Sequence, residues 1–280
     1  MFRSIFYIFI FLLLSSISFY LSMISISCIK ELDPIMKEIK NNTSVYEVSS
    51  KDAFIDDLII VPGVKGKIID VDSSYKVMKN YGAFEDDLLI YDYTLPKVSI
   101  SNIYDKYVIG GNSNKKEVSL VFKIESTNYL EEIISILKTN DVIGTFFIDE
   151  YLFYESIDII DLLYLNNQNI ELLSDEYSLI NIEKINYYLN KYINKKISYC
   201  YIDSFNKSVL SICSFKKLHT IIPSINTSNY PYYDIKNKLS NGSIIKLNNN
   251  IRVVEELNYI IKYIRQKDYE IVSLKKLLSE

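Results

Sequence analysis

The residues able to do chemistry are few, and most stand where a predicted strand gives way to a loop. Lys123 and Glu125 follow the apolar run VSLVF, Asp149 and Glu150 follow or close VIGTFFI, and Asp175 and Glu176 follow IELLS. Asp203 follows ISYCYI, and Asn248 follows SIIKL. Paired carboxylates can run glycoside hydrolysis, one as acid and one as base or nucleophile. Acidic residues are equally at home at strand exits as solvated loop groups, and solvation is the expectation here. Lys123 has two readings as well. It is either a cation that anchors an anionic group or pairs with Asp175, or a basic side chain neutralised by a neighbour, and the second is expected. Chemistry built on His and Cys lacks its members. His219 is the one histidine, and Cys28, Cys200 and Cys213 have no CxxC spacing. Neither a His/Cys metal site nor a His-based triad can be assembled from these. Cys200 and Cys213 are expected as buried free thiols among apolar neighbours, with a disulfide as the extracytoplasmic alternative.

The 280 residues are 49% hydrophobic and 24% charged, enough for a sizeable core under an ordinary soluble surface. A net charge of −4 gives no sign of a nucleic-acid partner, which would show as a basic patch or a high pI. Of the 25 tyrosines, most fall at helical spacing or inside strands; Tyr230, Tyr232 and Tyr233, beside Pro231, are the ones free to line a groove.

The N-terminus carries the clearest local signal. No charged residue occurs between Arg3 and Lys30, a run long enough to span a bilayer and longer than a signal-peptide core needs. Arg3 favours an inside N-terminus. The leading expectation is a single-pass anchor in the cell membrane, with the rest of the chain extracytoplasmic. A cleaved signal, giving a secreted protein, and a lipid anchor at Cys28 are the alternatives, since SISC loosely resembles a lipobox.

Residues 1–29 are thus a transmembrane or signal segment, and 30–51 a polar stalk. Residues 52–112 hold short β-prone runs with one helix, 73–81, capped by Asp72 or Ser73 and ended by Gly82. From 113 to 280 strands alternate with amphipathic helices. In the first of these, capped by Thr127, Leu130, Ile133, Ile134 and Leu137 form one buried stripe. Strands apolar on both faces with helices between them mean a parallel sheet covered by helices. No GxGxxG or GxxxxGK[ST] sits at a strand–helix turn, so nucleotide-binding versions of that architecture have no support. Roughly seven βα units favour a closed or distorted barrel.

Over about 115–279 the order of segments resembles the polysaccharide deacetylase (NodB-like) family, whose fold is a deformed (β/α) barrel. KKEVSLVFKI is similar to its first strand, which ends in Phe-Asp-Asp-Gly, and VIGTFFI to its Ala-Thr-Phe-Phe strand. IELLSDEYSL stands at the His-x3-His motif, and ISYCYIDS at Arg-Pro-Pro-Tyr-Gly. PSINTSNY, NGSIIKLNN and the closing EIVSL follow in the family's order. The resemblance implies a deformed (β/α) barrel, so the fold expected for the chain is α/β, that barrel with the small N-terminal α+β preface and N-terminal transmembrane helix read above.

That family hydrolyses N-acetyl groups on sugars with a divalent metal such as zinc, an Asp base and a late His acid. Carried over one residue at a time, the base falls on Lys123 and the metal Asp on Ile124. The two metal histidines fall on Asp175 and Leu179. The Arg and Tyr of the third motif become Cys200 and Asp203. The fourth motif's Asp becomes Asn226, and the acid His becomes Asn248. A catalytic metal site needs about three protein ligands, and one candidate is left. The resemblance therefore implies no catalytic residue, no metal and no cofactor. What it leaves is a vestigial pocket of Lys123, Asp175, Asp203, Asn226 and Asn248. Expected partners are the membrane, through the N-terminal helix, and a cell-wall glycan or envelope protein. The competing reading is a divergent carbohydrate deacetylase or hydrolase acting on C–N (amide) bonds of cell-wall polysaccharide.

Overall fold

The computed structural model describes residues 2–155 and 157–280. In chain order its elements begin with helices α1 (Phe2–Leu32) and α2 (Pro34–Tyr46), then strands β1 (Phe54–Asp56), β2 (Ile59–Val61) and β3 (Gly66–Ile69). Helix α3 (Val71–Tyr81) and strands β4 (Tyr91–Thr94) and β5 (Tyr107–Val108) follow. The alternating part runs β6 (Glu117–Ile124), α4 (Leu130–Thr139), β7 (Thr145–Asp149), α5 (Glu150–Glu155), α6 (Ile157–Leu165), β8 (Asn169–Leu173) and α7 (Leu179–Ile193). It continues with β9 (Tyr199–Tyr201), α8 (Lys207–Phe215), β10 (His219–Ile221), β11 (Ile225–Asn226) and α9 (Pro231–Lys238). The chain closes with β12 (Ile244–Asn248), α10 (Ile251–Gln266), β13 (Glu270–Ile271) and α11 (Leu274–Leu277).

Two compact units divide the chain: Met1–Ser50 with Lys65–Thr94, and Lys51–Val64 with Leu95–Glu280. The stretch 52–112, expected as one α+β region, is therefore shared between them. The reason is pairing. Strand β2 joins β5, and β5 joins β10, both in parallel register, so these segments belong to the main sheet. Strands β3 and β4 pair only with each other, as an antiparallel ribbon.

In the first unit, α1 includes Ile10–Leu32, a stretch long and apolar enough to cross a membrane. Its described apolar side chains, such as Phe11, Phe19 and Leu21, are exposed. The expected stalk is instead the helix α2. Asp33 caps it by accepting the Ile35 N–H at 2.9 Å, and Pro34 supplies the fixed φ of a first helical position. Met36 and Ile39 lie one turn apart and are fully buried, a short apolar face that the polar composition of this stretch conceals. Ile39 packs with Ile69, Met78 and Leu89 in this unit's core. Helix α3 starts two residues earlier than expected, because Asp70 is the cap and accepts the Ser73 N–H at 3.0 Å. Gly82 ends it in the left-handed conformation, φ 101°, as a helix C-terminus commonly requires.

The second unit is a curled sheet in the order β1-β2-β5-β10-β9-β8-β7-β6-β12-β11, parallel at every step except β1–β2, with helices outside. Successive side chains of a strand point to opposite faces, so β6 serves two cores. Val118, Leu120, Phe122 and Ile124 pack outward against the helices, with the expected stripe of Leu130, Ile133, Ile134 and Leu137 on α4. Tyr129, in a left-handed conformation, precedes that helix where Thr127 was expected as the cap. Val121 faces inward with Phe147, Leu173, Tyr199, Tyr201 and Ile244. Leu274, Leu277 and Leu278 from the C-terminal end fill the same interior, so the barrel is packed rather than hollow.

Cys200 and Cys213 form a disulfide, with Cα atoms 6.4 Å apart, which corrects the expectation of free thiols. Both are fully buried, so burial among apolar residues does not distinguish a thiol from a bridge. The distinguishing fact is that β9 and α8 bring the two side chains face to face. Tyr230 precedes α9, and Tyr232 and Tyr233 lie in its first turn rather than in a free loop. Tyr232 joins Tyr259 and Tyr263 of α10 along a groove of about 480 Å³.

Candidate functional site

At the C-terminal ends of the parallel strands, β6, β8 and β9 frame a cleft of about 200 Å³. Active sites of (β/α) barrels lie at this end. Lys123 enters from β6, Asp175 from the turn after β8, and Asp203 from the turn after β9, with Tyr201 and Phe205 beside them. The structure thus brings together three of the five residues the sequence singles out. Asn226 and Asn248 lie outside that lining. Asn248 pairs with Lys123 in backbone register, and Asn226 accepts a hydrogen bond from Lys246 Nζ at 2.9 Å.

Lys123 is a cation answered on several sides. Its Nζ lies 3.1 Å from Glu125 Oε1 and 3.8 Å from Asp203 Oδ2. Burial alone would pull its pKa down. The hydrogen bond to Glu125 and the charges of Glu125, Asp203 and Asp175 together outweigh that, and the pKa ends above the ordinary lysine range. Asp203 is itself held by the Tyr201 hydroxyl, which donates to its Oδ1 at 2.6 Å. Burial, then that bond to Asp203, pushes Tyr201 upward, so it stays a neutral donor.

Two residues that sequence reasoning passed over complete the mouth. Lys246, on the inward face of β12, is nine-tenths buried. Burial lowers its pKa most, Asp203 pulls it back up, Lys123 lowers it further and Glu125 raises it. The signal was available, since a lysine inside the apolar run SIIKL must face either the helices or the barrel interior. Tyr177 is 3% exposed and donates its hydroxyl to the Leu172 carbonyl at 2.7 Å. The same hydroxyl accepts the Tyr201 N–H at 2.8 Å, which ties the turn carrying Asp175 to β9. No spacing rule in a single sequence marks such a bridge.

Two other strand-end carboxylates are occupied structurally. Asp149 accepts the Tyr151 N–H at 2.9 Å, and Glu150 accepts from Asn181 Nδ2 at 3.0 Å. His219 stacks on Tyr104 with ring centroids 4.6 Å apart, and burial pushes its pKa down to about 4 despite Glu280.

A divalent metal does not fit these residues. Ile124, at the metal-Asp position, is fully buried against the helices. Leu179, at the second His position, is the first residue of α7 and half-exposed. Asp175 remains as an oxygen donor. The ammonium of Lys123 sits among the same carboxylates, and Lys246 adds a second positive charge. Among the described residues no group of three or more His, Cys, Asp or Glu is placed to share an ion. The mouth can hold hydrogen-bonding or charged groups, but it pairs no nucleophile with a base.

A curled parallel sheet of this kind is the fold of the carbohydrate esterase family 4 (CE4) polysaccharide deacetylases, the NodB-like barrel. Comparison with solved structures gives a TM-score of 0.72 and 24% identity to wild-type BA3943, a CE4 family pseudoenzyme from Bacillus anthracis, over 89% of this chain and 96% of that one. A BA3943 mutant described as a pseudoenzyme with restored enzymatic activity matches equally. Bacillus subtilis PdaA, a family 4 carbohydrate esterase, aligns at a TM-score of 0.55 and 20% identity, over 62% of this chain and 85% of that one. Among curated proteins, the uncharacterized protein YlxY of Bacillus subtilis (strain 168) is 23% identical over 269 residues, 89% of this chain and 84% of that protein. No family model matches the sequence.

Proposed function

We propose that this chain is a membrane-anchored, extracytoplasmic deacetylase-like protein without hydrolase activity, whose barrel mouth holds a cell-wall glycan or an envelope partner. The observation that carries the reading is Lys123. An ammonium, paired with Glu125 and Asp203, stands where the fold family places its general base, and its neighbour Ile124 is hydrocarbon inside the core. The apolar helix of the N-terminal unit supports anchoring, and the buried disulfide supports an oxidising compartment. The CE4 pseudoenzyme among the structural neighbours supports a kept fold with altered chemistry. A polar cleft lined by Tyr201, Phe205 and charged groups suits the hydroxyls and apolar faces of a sugar.

The test uses the full chain in a neutral detergent. Metal analysis and an acetate-release assay on acetylated chito-oligosaccharide are run together with calorimetric titration of the same oligosaccharide. The expected result is no stoichiometric zinc and no acetate, with saturable binding weakened by Lys123→Met. Stoichiometric zinc with released acetate would instead establish the divergent deacetylase reading.

A further inference from the structure

The barrel has a second polar pocket, on the face opposite the mouth. Strands β7, β8 and β9 begin there, and Thr145, Asn169, Glu171, Ser198 and Tyr199 help enclose a cavity of about 270 Å³. Its rim carries Lys195 and Lys196 from the segment before β9, and Lys275 from α11. At the ~30 Å³ a water occupies in the liquid, this is room for a small ion with part of its hydration shell.

The walls are unusual in what they bury. Glu171 is 5% exposed, and its Oε2 accepts the N–H of Ser198 at 2.8 Å and of Tyr199 at 3.1 Å. No described residue donates to its Oε1. Burial pushes this carboxyl up to about 8, against the two amide bonds and Lys195, which pull it down. Near neutral pH it therefore carries a proton, and Oε1 is the oxygen left to hold it. Thr145 is 1% exposed, and its Oγ1 is buried with no hydrogen-bond partner among the described residues. A buried hydroxyl left unpaired is destabilising, and a bound acceptor would relieve that. Two hydroxyl donors on the wall and three ammonium groups at the rim are complementary to negative charge.

We propose that this pocket binds a small oxyanion, a sulfate, phosphate or carboxylate group, which accepts hydrogen bonds from the Glu171 carboxyl O–H and the Thr145 hydroxyl and is balanced by Lys195, Lys196 and Lys275. The site lies across the barrel from Lys123 and does not depend on how the mouth is read. Occupancy is coupled to a proton. The groups facing Glu171 are Lys195 and Lys196 before β9, Lys275 on α11, Tyr199 on β9 and Tyr177 after β8. Burial first, then the Glu171 charge, raises Tyr199, and burial chiefly raises Tyr177, so both stay neutral. Glu171 is then the group that titrates between pH 6.5 and 9. Its ionisation removes a donor and sets a negative charge against the ligand, so affinity falls as pH rises through about 8.

The experiment titrates the full chain in a neutral detergent with sodium sulfate, whose charge is constant over this range, at fixed ionic strength. The amide signals of Ser198 and Tyr199 are followed by NMR at pH 6.5 and pH 9. A saturable shift is expected at pH 6.5, with affinity at least tenfold weaker at pH 9. Glu171→Gln keeps an N–H donor, so it should bind at pH 6.5 and lose the pH dependence. Thr145→Val should weaken binding several-fold. Lys275→Ala, at an exposed position that leaves the core untouched, should weaken it about threefold. Inorganic phosphate and phosphatidylglycerol vesicles form two further arms. Saturation by the free ions assigns a soluble oxyanion, and saturation by vesicles alone assigns a lipid headgroup. The proposal is overturned if neither saturates these amides, or if saturation is unchanged by both Thr145→Val and Lys275→Ala.

Discussion

The two ends of the barrel handle buried polarity differently. Lys123 pairs with Phe147 in the parallel register, and Phe147 with Glu171, so one row of the sheet runs from the mouth residue to the floor residue. At the mouth, side chains answer one another: Lys123 is met by the carboxylates of Glu125 and Asp203, and Lys246 by the neutral amide of Asn226. At the floor, a carboxyl is met by backbone amides and held largely by burial. The difference teaches where function has room to persist. A mouth whose charges are satisfied internally leaves few groups free to hold a ligand. A floor with an unpartnered hydroxyl and a proton-bearing carboxyl still has donors to spare.

The strongest way to break this comparison is to force the family's chemistry back onto the mouth. Ile124→Asp places a carboxylate where a fully buried side chain packs against the helices. Burying an unpaired charge there should cost about 3–5 kcal/mol, measured by chemical denaturation. Lys123 cannot repair it, because it lies on the opposite face of β6. If Ile124→Asp were as stable as the parent chain, the side chain would have access to the mouth, and the misfit to a divalent metal would rest on the histidine positions alone.

Cys200 stands between the floor residue Tyr199 and the mouth residue Tyr201, and its bridge to Cys213 pins β9 to α8. The bridge spans a sequence separation of 13, for which loop closure gives about 3 kcal/mol. Reduction, or Cys200→Ala with Cys213→Ala, should lower the melting temperature accordingly while leaving the mouth's ion pairs intact. No drop on reducing the parent chain would count against the bridge.

The floor makes a pH-dependent prediction with a definite sign. Glu171 has a folded-state pKa raised from 4.5 to about 8, so the folded chain binds a proton that the unfolded chain releases. Its contribution is full below about 4.5 and is lost as pH rises towards 8. Thermal melts at several pH values should show this decline in the parent and a flatter profile in Glu171→Gln. An equal decline in both would place the titration elsewhere.

Much of this was legible in the residues. The order of strands and helices from 113 onward followed from periods of two and 3.6, because apolar side chains must face one of two cores. The cleft at the strand ends was legible in part. Lys123, Asp175 and Asp203 sit at strand ends, and three strand ends of one parallel sheet converge. Asn226 and Asn248 stay out of the cleft lining because residues in register along a sheet do not all reach one cleft. The disulfide escaped because pairing depends on how α8 lies on β9, which composition does not encode. Helix α2 escaped because two buried side chains on a polar segment leave almost no periodic trace. Glu171 and Lys246 were hidden inside apolar runs, where a single charged letter reads as noise until alternation assigns it a face.

The smallest expected effect bears most directly on the mouth. Lys123→Met keeps the stem that packs inside the cleft and removes the charge. Glu125 and Asp203 are about half or more exposed, so water can solvate them once the cation is gone. The pair interaction is then screened, and the loss should stay below about 1 kcal/mol by denaturation. Lys123→Asp should cost more at pH 7, because it adds a carboxylate beside Glu125, Asp203 and Asp175. Neither change should confer stoichiometric zinc binding, since Ile124 and Leu179 still offer no donor. A loss above about 3 kcal/mol in Lys123→Met would show that the ammonium holds the mouth together. The charge would then belong to the scaffold, and a ligand role for the cleft would have to rest on Tyr201 and Asp203 instead.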